Sequence, residues 1–177
     1  MDDTAILDND ARAAFADLLQ RHRGILFKVA GTYARHAADR DDLAQEIAVQ
    51  LWRAWPRYDP ARGSPSTWMY RVALNVGISF LRGDGRRRRH WVPLDESLHD
   101  VADPDAVDHE REERLRVLHG FIDTLPALDR ALLLLYLDER STREIAEVLG
   151  ISDSNTTTRL SRLRQRLRDH AAHLGLD

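Results

Sequence analysis

The segment Asp95–Glu113, DESLHDVADPDAVDHEREE, constrains this chain more than any other feature. It carries nine acidic residues against one arginine, few large apolar side chains and a proline. Such a stretch cannot bury enough surface to fold alone, so it reads as a tether, helical only from about Asp105 onward. It divides the 177 residues into a first unit over 10–91, an acidic linker over 92–113 and a second unit over 114–174.

Within both units the apolar residues recur at helical spacing, and alternation with period two is never sustained. Phe15, Leu18, Leu19, Ile25, Leu26 and Val29 fit one or two helices. Leu43, Ile47, Leu51 and Trp55 follow at four-residue steps and predict a helix over Asp39–Trp55. Asp39, Asp41 and Asp42 suit its positive N-terminus, and Pro56 is its expected stop. YDPARGSPS predicts a loop. The next helix is expected over Thr67–Arg82, with Met69, Val72, Ala73, Val76 and Phe80 inward, ended by Gly83 and Gly85.

In the second unit Leu115, Leu118, Phe121, Ile122 and Leu125 form a stripe that ends near Pro126, followed by a helix over Asp129–Leu137. A third helix is expected over Ser141–Leu149, where Ser141 and Glu144 have the spacing of a capping box. Gly150 suits a left-handed stop, and Ser152 can cap a fourth helix over about 153–170 with the stripe Leu160, Leu163 and Leu167. The expected fold class is all-α: two small helical domains joined by an acidic linker, the C-terminal one a helix-turn-helix.

Ala146 allows a close crossing, and Ile145, Leu149 and Ile151 can fill the space between the two last helices. This layout is that of a DNA-binding helix-turn-helix, whose second helix enters the major groove. Arg159, Arg162 and Arg166 share one face of that helix, flanked by Arg164 and Arg168. Ser154, Asn155, Thr157 and Thr158 lie toward its start, where base contacts are usually made; Asn and Arg can contact adenine and guanine edges bidentately. Thr156 falls where such motifs usually bury Val or Ile, which predicts looser packing there. An ordinary hairpin with a solvated arginine face is the alternative.

The net charge of −3 argues on its own against a nucleic-acid binder. Resolved along the chain it hides two basic blocks. Residues 82–90 hold five arginines and one Asp, and residues 156–168 hold five arginines and no acid. An acidic start over 1–10 and the tether offset them, and both are expected to compete with DNA for the arginine faces. The absence of cysteine excludes disulfides, thiolate catalysis and thiolate metal sites. No Gly-rich phosphate loop, Gly-flanked nucleophilic Ser or HExxH is present, so no catalytic residue, metal or cofactor is expected. Of eight histidines only His170 and His173 share a helical face. The longest apolar run, Ala131–Leu137, is too short to span a bilayer, and the start lacks a signal-peptide pattern, so a cytoplasmic protein is expected.

DRDDLAQEIAVQLWRAWPRYDPARGSPSTWMYRVALN, over 39–75, resembles the second conserved region of bacterial sigma factors of the extracytoplasmic-function class. LPALDRALLLLYLDERSTREIAEVLGISDSNTTTRLSRLRQRLR, over 125–168, resembles the fourth region of that class. The resemblance implies a protein that binds core RNA polymerase and directs promoter-specific initiation, including minus-ten melting and minus-thirty-five recognition, without catalysis of its own. It implies as partners the β′ clamp helices and β of core polymerase, duplex and melted promoter DNA, and an anti-sigma factor, with no small-molecule substrate.

The positions matching the polymerase-docking helix are Asp41, Asp42, Leu43, Gln45, Glu46, Trp52 and Arg53. On residues alone, the Asp42/Glu46 pair reads first as a solvated face whose mild repulsion a basic partner would relieve. The loop matching the base-capturing loop offers Arg62, Gly63 and Ser64, with Pro65 where the family often has an aromatic residue. The strand-opening helix is matched by Trp68, Tyr70, Arg71, Asn75, Ser79 and Arg82, and Ser79 stands where the family commonly has Asp. Trp68 could equally be core. Arg86 and Arg87 continue the positive face. In the fourth region the resemblance assigns Ser154, Asn155, Thr157, Thr158, Arg159, Arg162 and Arg166 to the minus-thirty-five element.

Overall fold

The computed structural model describes residues 3–87 and 109–173, with side chains over 10–83 and 116–173. All regular structure among these residues is helical, in the order α1 (Asp3–Tyr33), α2 (Ala37–Ala54), α3 (Pro65–Arg87), α4 (His109–Thr124), α5 (Ala127–Leu137), α6 (Thr142–Leu149) and α7 (Asp153–His173). The chain forms two compact units, divided between Leu81 and Arg82 near the end of α3. Two helical domains are thus present, as the periodicity predicts. Residues 88–108, most of the expected linker, lie outside the described residues, as do the side chains of 1–9, Arg86 and Arg87.

Several boundaries differ from expectation, each for a local reason. α1 is one helix that passes through Gly24. A mid-helix glycine costs about 1 kcal/mol, which the burial of Ile25, Leu26, Val29, Ala30 and Tyr33 outweighs. α2 ends at Ala54, just before Pro56 as expected, and Pro56 itself sits in a 3-10 turn over Trp55–Arg57, at a position that needs no backbone N–H. A second such turn, Pro60–Arg62, is capped by Asp59, whose carboxylate accepts the Ala61 N–H at 2.9 Å. The expected loop over 58–66 thus contains one short turn and gives its last two residues to α3. α3 begins at Pro65 rather than Thr67, because the Ser64 hydroxyl accepts the Thr67 N–H at 3.2 Å and proline suits the first helical position. It continues past Gly83 and Gly85 to Arg87. Glycine weakens a helix but keeps its N–H, so it does not break the hydrogen-bond ladder as proline does.

The first unit is packed around Leu18, Ile25 and Val29 of α1, Leu43, Ile47 and Leu51 of α2, and Met69, Tyr70, Ala73 and Leu74 of α3. Val72, Val76 and Phe80, expected inward, are half-buried, and Tyr70 and Leu74 take the deeper places. Tyr70, matched above to the strand-opening helix, is therefore a core residue, 1% exposed. A Cβ on Gly77 would lie 2.6 Å from the Tyr33 ring, itself 3% exposed, so only glycine lets α1 and α3 approach here.

In the second unit Phe121 and Leu125 meet Ala131, Leu132, Leu133 and Leu135 of α5, Ile145, Ala146 and Val148 of α6, and Leu160 and Leu163 of α7. Arg130 is buried among them. Its Nε donates to the Leu125 carbonyl at 3.1 Å and its Nη2 to the Asp123 carbonyl at 3.0 Å. It thereby pairs two carbonyls that the end of α4 leaves without helical partners. At the start of α6 the expected capping box is formed: the Ser141 hydroxyl accepts the Glu144 N–H at 3.2 Å, and Glu144 Oε2 accepts the Ser141 N–H at 2.9 Å.

Gly77→Ala should destabilise the first unit by about 1–3 kcal/mol through overpacking. Gly24→Ala, which meets open space, should stabilise it by about 0.5–1 kcal/mol. Denaturant titration reads both, and equal signs would refute the close crossing. Hydrogen bonds from the Ser141 hydroxyl and backbone, with Arg140 nearby, hold the Glu144 carboxyl below its usual 4.5. A lowered carboxylate stabilises fully above its unfolded value, and that contribution is lost as pH falls through the folded one. Ser141→Ala should cost about 1 kcal/mol near neutrality and reduce the loss of stability on acidification below 4.5, measured by urea melts across that range.

Candidate nucleic-acid interface

Gly150 adopts φ 66° and ψ 34°, the left-handed conformation that turns the chain from α6 into α7. The Ile151 N–H then donates to the Ala146 carbonyl at 3.1 Å, and Ala146 is buried at the crossing. Ile145 and Val148 fill the inner side, whereas Leu149 and Ile151, expected there, are half-buried. Ser152 accepts the Asn155 N–H on its hydroxyl at 3.2 Å and starts α7 where the sequence places it. Leu160 and Leu163 anchor α7 inward, and Leu167 is half-buried.

Thr156 does not loosen this packing. Its side chain is 0% exposed, and its hydroxyl donates to the Ser152 carbonyl at 3.0 Å. The hydroxyl is satisfied within its own helix, so threonine occupies the space of valine without an orphan polar atom.

The opposite side of α7 exposes Ser154, Asn155, Thr157, Thr158, Arg162, Arg164, Arg166 and Arg168, with Arg159 half-buried. Thr157 and Thr158 donate to the carbonyls of Asp153 and Ser154 at 2.9 and 3.0 Å, so their hydroxyl protons are committed and their oxygens remain acceptors. Arg159 Nε donates to Asn155 Oδ1 at 3.1 Å. This uses one of the two lone pairs of Asn155 Oδ1, and the Asn155 side chain is otherwise exposed. Arg164 lies over the Tyr136 ring, 4.8 Å from its centre.

Asp129, in the first turn of α5, was not among the expected site residues. Its Oδ1 accepts from Arg159 Nη1 at 3.2 Å, and its Oδ2 lies 3.7 Å from Arg166 Nη1. Thirty residues separate the first pair, so no local spacing in the sequence announces it.

In the first unit α2 exposes Asp41, Asp42, Gln45, Glu46, Trp52 and Arg53. Leu43 departs from the expected docking set. It is 1% exposed and belongs to the core, so its side chain is not on that surface. Val49, 42% exposed, lies on the same face, at helical spacing from Asp42 and Glu46. That spacing could have found it. Trp52 is 40% exposed, with its ring edge against Phe15 at 5.1 Å.

On α3, Arg71, Asn75, Ser79 and Arg82 are exposed along one face. Trp68 is half-buried, its ring 4.8 Å from Tyr58 and 6.1 Å from Trp55, at the edge of an aromatic cluster. In the preceding turn Arg62 is exposed, Gly63 is extended, and the Ser64 hydroxyl is taken up in capping α3. Among the described residues no group of three or more His, Cys, Asp or Glu could hold a metal ion, and no helix is long and apolar enough to cross a membrane.

The family model for sigma-70 region 2 matches residues 18–87, and that for sigma-70 region 4 matches residues 115–167. The ECF RNA polymerase sigma factor SigE of Mycolicibacterium smegmatis is 28% identical over 93% of this chain, which spans 64% of that relative's length. The ECF RNA polymerase sigma factor RpoE of Cereibacter sphaeroides is 31% identical over 94% of this chain and 91% of its own. The structure of CnrH in complex with the cytosolic domain of CnrY superposes with a TM-score of 0.66, at 25% identity, over 97% of both chains. The sigma factor RpoE of Bartonella quintana, solved with the anti-sigma factor NepR, shares the fold at a TM-score of 0.65. Both sigma regions in chain order, and a relative matched over nine-tenths of its length, place this chain in the family of extracytoplasmic-function RNA polymerase sigma factors.

Proposed function

We propose that this chain joins core RNA polymerase through the exposed acidic side of α2 and directs it to promoters through α3 and α7. The observation that carries the reading is the division of labour between helix sides. α2 and α3 of the first unit turn Asp42/Glu46 and Arg71/Asn75 to solvent, while α7 of the second presents an arginine side beside polar residues at its start. A carboxylate face with Val49 and Trp52 among its exposed residues suits a basic helical partner with an apolar seam, the role the family assigns to the β′ clamp helices. Arg71, Asn75 and Arg82, with Trp68 at the cluster edge, offer stacking and hydrogen-bonding groups to an opened minus-ten strand. Arg62 and the Gly63 backbone form the matching base-capturing turn. Arg86 and Arg87 continue the basic run in the sequence and are assigned to phosphate contacts.

On α7, Arg159, Arg162 and Arg166 face the duplex of the minus-thirty-five element, with Ser154, Asn155, Thr157 and Thr158 at the end nearest the base edges. The protein supplies binding and orientation to the polymerase and performs no chemistry itself, in the cytoplasm where core polymerase works. An anti-sigma factor is the expected regulator: the Bartonella RpoE was solved with the anti-sigma factor NepR, and CnrH with the cytosolic domain of CnrY.

Reconstitution with core polymerase on a genomic library should give initiation at asymmetric two-element promoters; a two-fold operator bound without polymerase would instead identify a repressor. Asp42→Arg should abolish co-purification with core polymerase while leaving the circular dichroism spectrum unchanged, and undiminished co-purification would exclude α2 as the docking face. Arg159→Ala should weaken binding to the upstream element by about 1–3 kcal/mol and relax specificity at one position. An equal loss on every sequence would make it a phosphate contact.

A further inference from the structure

A carboxylate inside an arginine stripe that meets DNA repels the phosphates the stripe attracts, so its presence calls for a physical account. Asp129 is such a group. It bridges Arg159 and Arg166, with its side chain 20% exposed. Its position is fixed: the neighbouring Arg130 is buried and tied to the Leu125 and Asp123 carbonyls, and Ala131–Leu133 are core. Arg159 is thus gripped by two acceptors, Asp129 Oδ1 on Nη1 and Asn155 Oδ1 on Nε, which leave Nη2 to point elsewhere.

We propose that Asp129 is a specificity-determining positioning residue: it fixes the Arg159 guanidinium for a base edge and denies that arginine to the phosphate backbone. The proposal rests on the reading of α7 as the minus-thirty-five helix. A guanidinium held in advance loses little rotamer freedom on binding, which sharpens geometry-dependent contacts. The nearby negative charge lowers the affinity of Arg159 and Arg166 for phosphate, the sequence-independent part of binding. Asp129 therefore trades total affinity for discrimination.

The test uses the full chain, an upstream-element duplex taken from promoters selected by the reconstituted holoenzyme, and a scrambled duplex of equal length. Asp129→Asn should tighten binding to the scrambled duplex and lower the specific-to-scrambled ratio about tenfold, within the range one base contact supplies. Asp129→Glu should retain most of the ratio, and Asp129→Asn should leave it unchanged once Arg159→Ala is present. Arg159→Lys, which keeps the charge but loses the planar fork, should lose the ratio while keeping scrambled binding. An unchanged ratio in Asp129→Asn overturns the proposal, as does a tenfold fall that persists in the Arg159→Ala background or a full ratio in Arg159→Lys. If Arg159→Ala itself leaves the ratio intact, the base-reading assignment of α7 fails, and the failure is seen without any change at Asp129.

Discussion

Each helix leaves four N–H groups and four carbonyls without helical partners, and a fold made of short helices has many such ends in a small volume. Much of this structure follows from how those ends are satisfied. Ser64 caps α3, Ser141 and Glu144 cap α6 reciprocally, and Ser152 caps α7. Arg130 reaches back to the carbonyls that close α4. Gly150 takes the left-handed conformation that brings the N–H groups of the turn, its own and that of Ile151, to the Ala146 carbonyl of α6. The caps fix where each helix begins, and hence which side chains lie on its outer side. The direction of α7, and with it the arginine stripe, is inherited from the turn at Gly150 and from Ala146 beneath it.

The near-neutral charge total has a structural counterpart. The second unit does not leave its basic helix wholly unopposed: Asp129 sits against two of its arginines, and Tyr136 lies beneath a third. The first unit concentrates exposed carboxylates at Asp41, Asp42 and Glu46 of α2 and exposes arginine on α3 at Arg71. Half-exposed ion pairs such as that of Asp129 and Arg159 contribute little to stability, so their importance lies in orientation.

Much of this was legible in the sequence, and the limits are instructive. The leucine stripes, the Ser141/Glu144 box, the Gly150 turn and the Ser152 cap are local patterns, and local patterns survive folding. Pro56 does end α2, whereas Gly83 and Gly85, disfavoured by propensity alone, keep their N–H groups and let α3 run on to Arg87. Leu43 and Tyr70 show a different limit. A family motif marks a position as important without saying whether its side chain faces the partner or holds the helix that does. Asp129 shows a third: its partners are distant in sequence, and only tertiary structure brings them together. Threonine at 156, where such motifs usually bury Val or Ile, packs without loss because the helix supplies an acceptor for its hydroxyl.

The aromatic cluster of the first unit has an optical consequence. Trp52 and Trp55 flank Phe15, and Trp55 and Trp68 flank Tyr58, with neighbouring ring centres between 4.8 and 5.7 Å apart for the contacts through Phe15 and Tyr58. Three of the four tryptophans of the chain are therefore gathered where α2 runs into α3, and residues 116–173 contain none. Indole fluorescence from the described residues therefore comes from this one small region. The native chain carries a built-in fluorophore beside the two surfaces assigned to polymerase and to the melted strand, while its helix-turn-helix is dark.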